Sequence, residues 1–166
     1  PPSGGTDEEN IPHADSWFTN KKEVTDYDYS FCVVGDTQVI TERYPDKLAG
    51  IYDWIVDNAE AKKIKFVFGL GDITEKSAQA EWDRAKNAIH KMDGIVPYSL
   101  VRGNHDGKSA FNQTFPLSDY KDEILESFDG TMVNTCRKLT VGKINYLIFT
   151  LDYGPSNAVL NWVGGL

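Results

Sequence analysis

Residues 96–106 read Val-Pro-Tyr-Ser-Leu-Val-Arg-Gly-Asn-His-Asp. The first six are mostly apolar and predict a short buried strand. The last four place a glycine, an amide, an imidazole and a carboxylate immediately beyond its carboxyl end. Open α/β sheets bind their ligands at that edge. Read alone, Gly103-Asn104-His105-Asp106 is equally an ordinary polar turn, so its weight depends on how the other strands end.

Two earlier strands end in the same way. Residues 29–34 are continuously apolar around Phe31, Cys32, Val33 and Val34, as expected of a strand buried on both faces, and run into Gly35-Asp36-Thr37-Gln38. Residues 65–70 carry Phe66-Val67-Phe68 and run into Gly71-Asp72. Between them, Leu48, Ile51, Tyr52, Ile55, Val56 and Ala59 recur at helical spacing after Pro45, a residue suited to a first helical turn. A second helix is predicted over 77–92, with Ala78, Trp82, Ala85 and Ile89 on one face. Strand, helix, strand, helix, strand at these intervals predicts an α/β fold with a parallel βαβαβ core. All three strand-end loops then emerge at one edge.

After His105 the pattern changes. Residues 111–128 read as loop and short helix, broken at Pro116. Strands are predicted over 131–141 and 144–151 around a Gly142-Lys143 turn, which makes a β-hairpin. Residues 1–28 read as a Pro/Gly/Ser/Thr-rich linker and N-terminal extension, with Trp17-Phe18 as an anchor and residues 29–166 as the folded domain. The chain starts at Pro1, and its last helical pattern, from Ala158, is short, so it is read as a domain incomplete at its C-terminal end.

The 166 residues suffice for one domain with a core. A net charge of −8 argues against gripping a nucleic-acid backbone, which needs clustered Lys and Arg. No run has the length of a membrane span. The linker composition and a pI near 4.8 point toward an exported, extracellular or cell-surface protein. Cys32 and Cys136 match no zinc spacing and read as free, small apolar residues, with a disulfide between them the alternative for an extracellular protein.

The three blocks in order, Asp36-x-Gln38, Gly71-Asp72 and Gly103-Asn104-His105-Asp106, resemble the calcineurin-like metallophosphoesterase family. The resemblance implies the first half of a two-sheet α/β/β/α sandwich and hydrolysis of a phosphate monoester or diester at a centre of two divalent metal ions (Mn, Fe, Zn or Mg). It implies that Asp36 binds the first metal, with Gln38 a candidate ligand whose direct contact is left open, that Asp72 bridges, Asn104 binds the second, His105 serves the leaving oxygen and Asp106 orients His105. Carboxylate and amide oxygens suit such cations.

Two departures stand out. Gln38 occupies a position where many members carry His. The downstream ligands, a single His and then Gly-His-x-His, have no counterpart, since the only histidines are His13, His90 and His105. The expectation is half a site, weakly active alone unless a further stretch or a second chain completes it. The rival reading is a non-catalytic module that keeps the fold to bind a ligand or partner. His90 is expected on the solvent face of its helix, Trp54, Trp82 and Trp162 in packing, Glu75 as a helix N-terminal acid, and Asp152 near the site.

Overall fold

The computed structural model describes residues 26–166. The predicted linker, its His13 and the Trp17-Phe18 anchor lie outside the described residues, apart from positions 26–28.

Three strands, β1 (Ser30–Val34), β2 (Ile64–Gly69) and β3 (Tyr98–Leu100), form one sheet in the order β1-β2-β3. Both pairings are parallel, with Val34 opposite Gly69 and Gly69 opposite Leu100. This register aligns the glycine-ended loops at one edge. A second, antiparallel sheet holds β4 (Glu126–Ser127), β5 (Thr135–Val141) and β6 (Ile144–Thr150). The predicted hairpin is present: Val141 faces Ile144 across a turn in which Gly142 has φ +59°.

The sheets meet through aromatic and charged side chains. The Phe31 and Tyr146 ring centroids are 5.6 Å apart, edge to face. Arg137 of β5 lies over the Phe66 ring and donates to the carbonyl of Tyr98. On the helix side, α2 (Pro45–Asn58) buries Leu48, Tyr52 and Ile55, as its periodicity predicts. Helix α3 (Gln79–Ile89) buries Trp82, Ala85, Ala88 and Ile89. Trp82 meets Phe111 and Phe115 edge-on; Phe111 lies on α4 (Lys108–Thr114) and Phe115 follows it. A one-turn helix, α5 (Leu117–Tyr120), precedes β4, and α6 (Asn157–Gly165) follows β6.

Several local expectations are corrected. A short helix, α1 (Gln38–Arg43), starts directly after the first glycine loop and precedes α2. β1 is an edge strand and Val33 is 59% exposed, so it is not covered on both faces. Trp54 is half exposed, whereas Trp82 is buried and Trp162 packs on Phe128 and Phe149. Helix α3 starts later than predicted because Ser77 adopts φ +54°, where a helix cannot begin. It gives way to a 3-10 turn, His90–Met92. His90 does not face open solvent: its Nδ1 pairs with Asp93 at 3.1 Å and its ring lies against Phe115. Strand β5 starts at Thr135 because Thr131 is held in a turn by Asp129. Both cysteines are free.

Candidate metal and phosphoester site

The three strand-end loops interlock through their backbones. Asp36 N–H donates to the Gly71 carbonyl at 3.1 Å, which joins the β1 and β2 loops. A Cβ on Gly71 would lie 2.8 Å from the Gly103 nitrogen, so the β2 and β3 loops are in contact. Gly103 is more constrained: a Cβ there would lie 2.1 Å from Asp72 Oδ1 and 2.2 Å from Asp72 N. His105 N–H then donates to that same Asp72 Oδ1 at 3.1 Å.

Asp36 and Asp72 both sit in the left-handed region, at φ +56° and +49°. Such conformations cost of order 1 kcal/mol or more and persist where surrounding contacts fix them. Both residues lie in the loops just beyond β1 and β2, at the common edge of the sheet.

Asp106 is 1% exposed and anchors the third loop. Its Oδ2 accepts from Ile73 N and Gly103 N, and its Oδ1 from Thr74 N and Thr74 Oγ1, at 2.8–3.1 Å. Asp106 N–H closes a turn onto the Gly103 carbonyl at 3.3 Å, which leaves Asn104 and His105 at the two central positions. The carboxylate therefore fixes the backbone that carries His105. The His105 ring instead meets Glu75, whose carbonyl oxygen is 3.0 Å from Nδ1 and whose carboxylate is 3.8 Å away. That carbonyl raises the His105 pKa above the ordinary imidazole value. Partial desolvation opposes it, and the charges of Glu75, Asp72 and Asp106 reinforce it.

A family model described as calcineurin-like phosphoesterase matches residues 29–162. The chain belongs to the calcineurin-like phosphoesterase family. A protein of Bacillus subtilis (strain 168) named "Uncharacterized protein YvnB" is 38% identical over 80 residues, which is 47% of this chain and 6% of that relative's length. The domain is thus of a phosphoester-hydrolase family, and the family generally uses divalent metal ions.

The residues of this phosphoesterase domain fit such ions. Gln38 Oε1 is buried with no hydrogen-bond partner, and a stranded buried acceptor normally costs about 1–3 kcal/mol. Among the described residues, no hydrogen bond or ion pair engages the side chains of Asp36 and Asn104. Helix α1, which opens with Gln38, is held in place at its far end. Arg84 donates to the carbonyls of Thr41 and Glu42, and Lys76 pairs with Glu42. The candidate ligands Asp36, Gln38, Asp72 and Asn104 all offer hard oxygens, suited to Mg²⁺- or Mn²⁺-like cations. Among the described residues no three His, Cys, Asp or Glu side chains form a ligand cluster, so the set leans on its two amides.

Residues to which the sequence assigned another role, or none, do much of the positioning. Glu75 lies outside α3, and its backbone rather than its charge touches His105 most closely. Its loop is shaped by the buried Glu81, whose carboxylate accepts from the backbone N–H groups of Glu75, Lys76 and Ala78. Glu81 stands three residues after Ala78, the observed N-cap of α3, which is the Glu position of a capping box. Asp152 pairs with Arg102, the residue just before the motif turn.

Proposed function

We propose that this domain hydrolyses a phosphate monoester or diester with two divalent cations held by Asp36, Gln38, Asp72 and Asn104. The observation that carries the reading is the partnerless, buried Gln38 Oε1, two residues from Asp36 in the interlocked loops. Cations bound there would supply Lewis acidity, polarising the phosphoryl oxygens and activating the attacking water.

The chain's own residues supply the rest. Asp36 and Asp72 bring negative charge, and the amides of Gln38 and Asn104 add neutral oxygens. His105 Nδ1–H donates to the Glu75 carbonyl in this reading, so in the imidazolium form the Nε2 proton is the one free to pass to the departing oxygen, which leaves the neutral Nδ1–H imidazole. Asp106 keeps His105 on a fixed turn. No His follows His105 in the sequence. The imidazole ligands that the family resemblance implies would come from a further stretch or a second chain, and these 166 residues alone are proposed to bind metal weakly and turn over slowly.

The test is hydrolysis of p-nitrophenyl phosphate and bis(p-nitrophenyl) phosphate with Mn²⁺, comparing the wild type with Asp72→Asn and His105→Ala. Slow turnover that EDTA removes and Asp72→Asn lowers by about 100-fold supports the reading. In that case His105→Ala costs more with an alkyl leaving group than with p-nitrophenolate. Turnover insensitive to EDTA and to Asp72→Asn contradicts it. The scarcity of anionic and imidazole ligands also favours a second reading, a non-catalytic binding module. Metal-dependent ester binding without turnover would select that one.

A further inference from the structure

We infer that Arg102 is a positioning residue for the Asn104–His105 turn, fastened to the second sheet by Asp152; its catalytic consequence rests on the phosphoesterase reading above. Arg102 directly precedes the motif and is 15% exposed; Asp152, just beyond β6, is 16% exposed. Arg102 Nη1 donates to the Asp106 carbonyl at 2.7 Å and to the Gly103 carbonyl at 3.2 Å. Its Nε donates to Asp152 Oδ1 at 2.5 Å.

The two carbonyls that Arg102 holds are those at the first and last positions of the turn presenting Asn104 and His105. The Asp106 carboxylate accepts from the Gly103 N–H at the start of the same turn and from the Ile73 and Thr74 N–H groups of the loop after β2. The turn is thus held by a cation at two of its carbonyls and by an anion that ties it to the neighbouring loop. Asp152 is itself fixed, because its N–H donates to the buried Asn134 side chain at 2.9 Å. Lys108 approaches its other oxygen at 4.0 Å. The clasp therefore runs from the antiparallel sheet, through Asp152 and Arg102, to the backbone under His105.

Only a guanidinium satisfies all three acceptors. Its planar fork donates from Nε and Nη1 in fixed directions, whereas a lysine ammonium is a single point on a flexible stem. Arg102→Lys keeps the charge and loses the geometry, so it separates positioning from electrostatics.

The test uses Arg102→Lys, Arg102→Ala and Asp152→Ala in the full chain. In metal-free protein, amide hydrogen exchange at Asn104, His105 and Asp106 is expected to accelerate at least tenfold in Arg102→Lys, with the global unfolding midpoint close to wild type. Asp152→Ala is expected to give the same local pattern with a smaller amplitude. With Mn²⁺, kcat falls about tenfold or more while KM stays within about threefold. Millimolar guanidinium ion partly restores kcat in Arg102→Ala. Unchanged exchange at these amides in Arg102→Lys and Asp152→Ala overturns the inference, whatever happens to kcat. If Arg102→Ala does not fold, the other two variants decide. A wild type without metal-dependent turnover refutes the phosphoesterase reading and leaves the exchange arm to judge the clasp.

Discussion

Replacing Asp106 by Asn removes one negative charge and almost no volume, so its effect isolates the hydrogen bonds that this carboxylate accepts. Oδ2 receives two backbone N–H groups, from Ile73 and Gly103, and neither can reverse its role. Oδ1 receives Thr74 N–H and the Thr74 hydroxyl. The least costly orientation of the Asn amide puts its oxygen toward Ile73 and Gly103 and its NH₂ toward Thr74. The Thr74 hydroxyl can then turn and accept, but the Thr74 N–H faces another donor. One stranded buried N–H costs about 1–3 kcal/mol, and the remaining bonds weaken from charge-assisted to neutral, roughly another 0.5–1 kcal/mol each. The expected loss is about 3 kcal/mol, a large part of the roughly 5–15 kcal/mol that holds a domain folded. At roughly 2–4 °C per kcal/mol for this size, the melting midpoint drops by about 10 °C. Urea unfolding followed by tryptophan fluorescence measures it, since Trp82 is fully buried beside this loop system. A loss below about 1 kcal/mol would refute the assignment of Asp106 as the anchor of the motif turn.

Three further outcomes follow from the same geometry. Gly103→Ala forces a Cβ within 2.2 Å of both Asp72 Oδ1 and Asp72 N; it should destabilise by about 3 kcal/mol or more and weaken Mn²⁺ binding, both readable by denaturation and calorimetric titration. Gly50→Ala has open space around the new methyl inside helix α2; it should stabilise by about 0.5–1 kcal/mol, and any destabilisation there argues against the helix as described. In the metal-free chain, His105 should titrate above the ordinary imidazole pKa in an NMR pH series. Because its folded pKa is raised, the stability it contributes is complete below the unfolded value and is lost as pH rises through the folded one. A His105 pKa at or below the ordinary value contradicts the Glu75 carbonyl contact.

The parts of this fold that were legible in the sequence are those encoded locally. Apolar runs stopped by Gly35, Gly71 and Gly103 announce three strands whose carboxyl ends coincide. Gly142-Lys143 announces the hairpin, and the spacing from Leu48 to Ile55 announces α2. What was not legible depends on distant partners. β1 reads as a fully buried strand because its residues are apolar, but its place at the sheet edge is set by pairing order. Asp106 reads as a partner for its neighbour His105, whereas most of the hydrogen bonds to its carboxylate come from residues 32 or 33 positions earlier. Glu75 reads as a helix acid, yet the left-handed Ser77 delays the helix and turns the Glu75 carbonyl toward His105. Helix α1 lacks apolar periodicity and is built around Arg84 and Lys76 from elsewhere in the chain. At the site, residue types were readable from the motif blocks, and the hydrogen bonds that orient them were not.

The β1, β2 and β3 loop ends are proposed to hold divalent metal together. Paramagnetic Mn²⁺ added in substoichiometric amounts to ¹⁵N-labelled chain tests it directly. The amides of Asp36, Gln38, Asp72 and Asn104 are expected to broaden first and together, and Asp72→Asn is expected to abolish this pattern. Broadening scattered over the acidic surface, with these four amides no more affected than the rest, would contradict it.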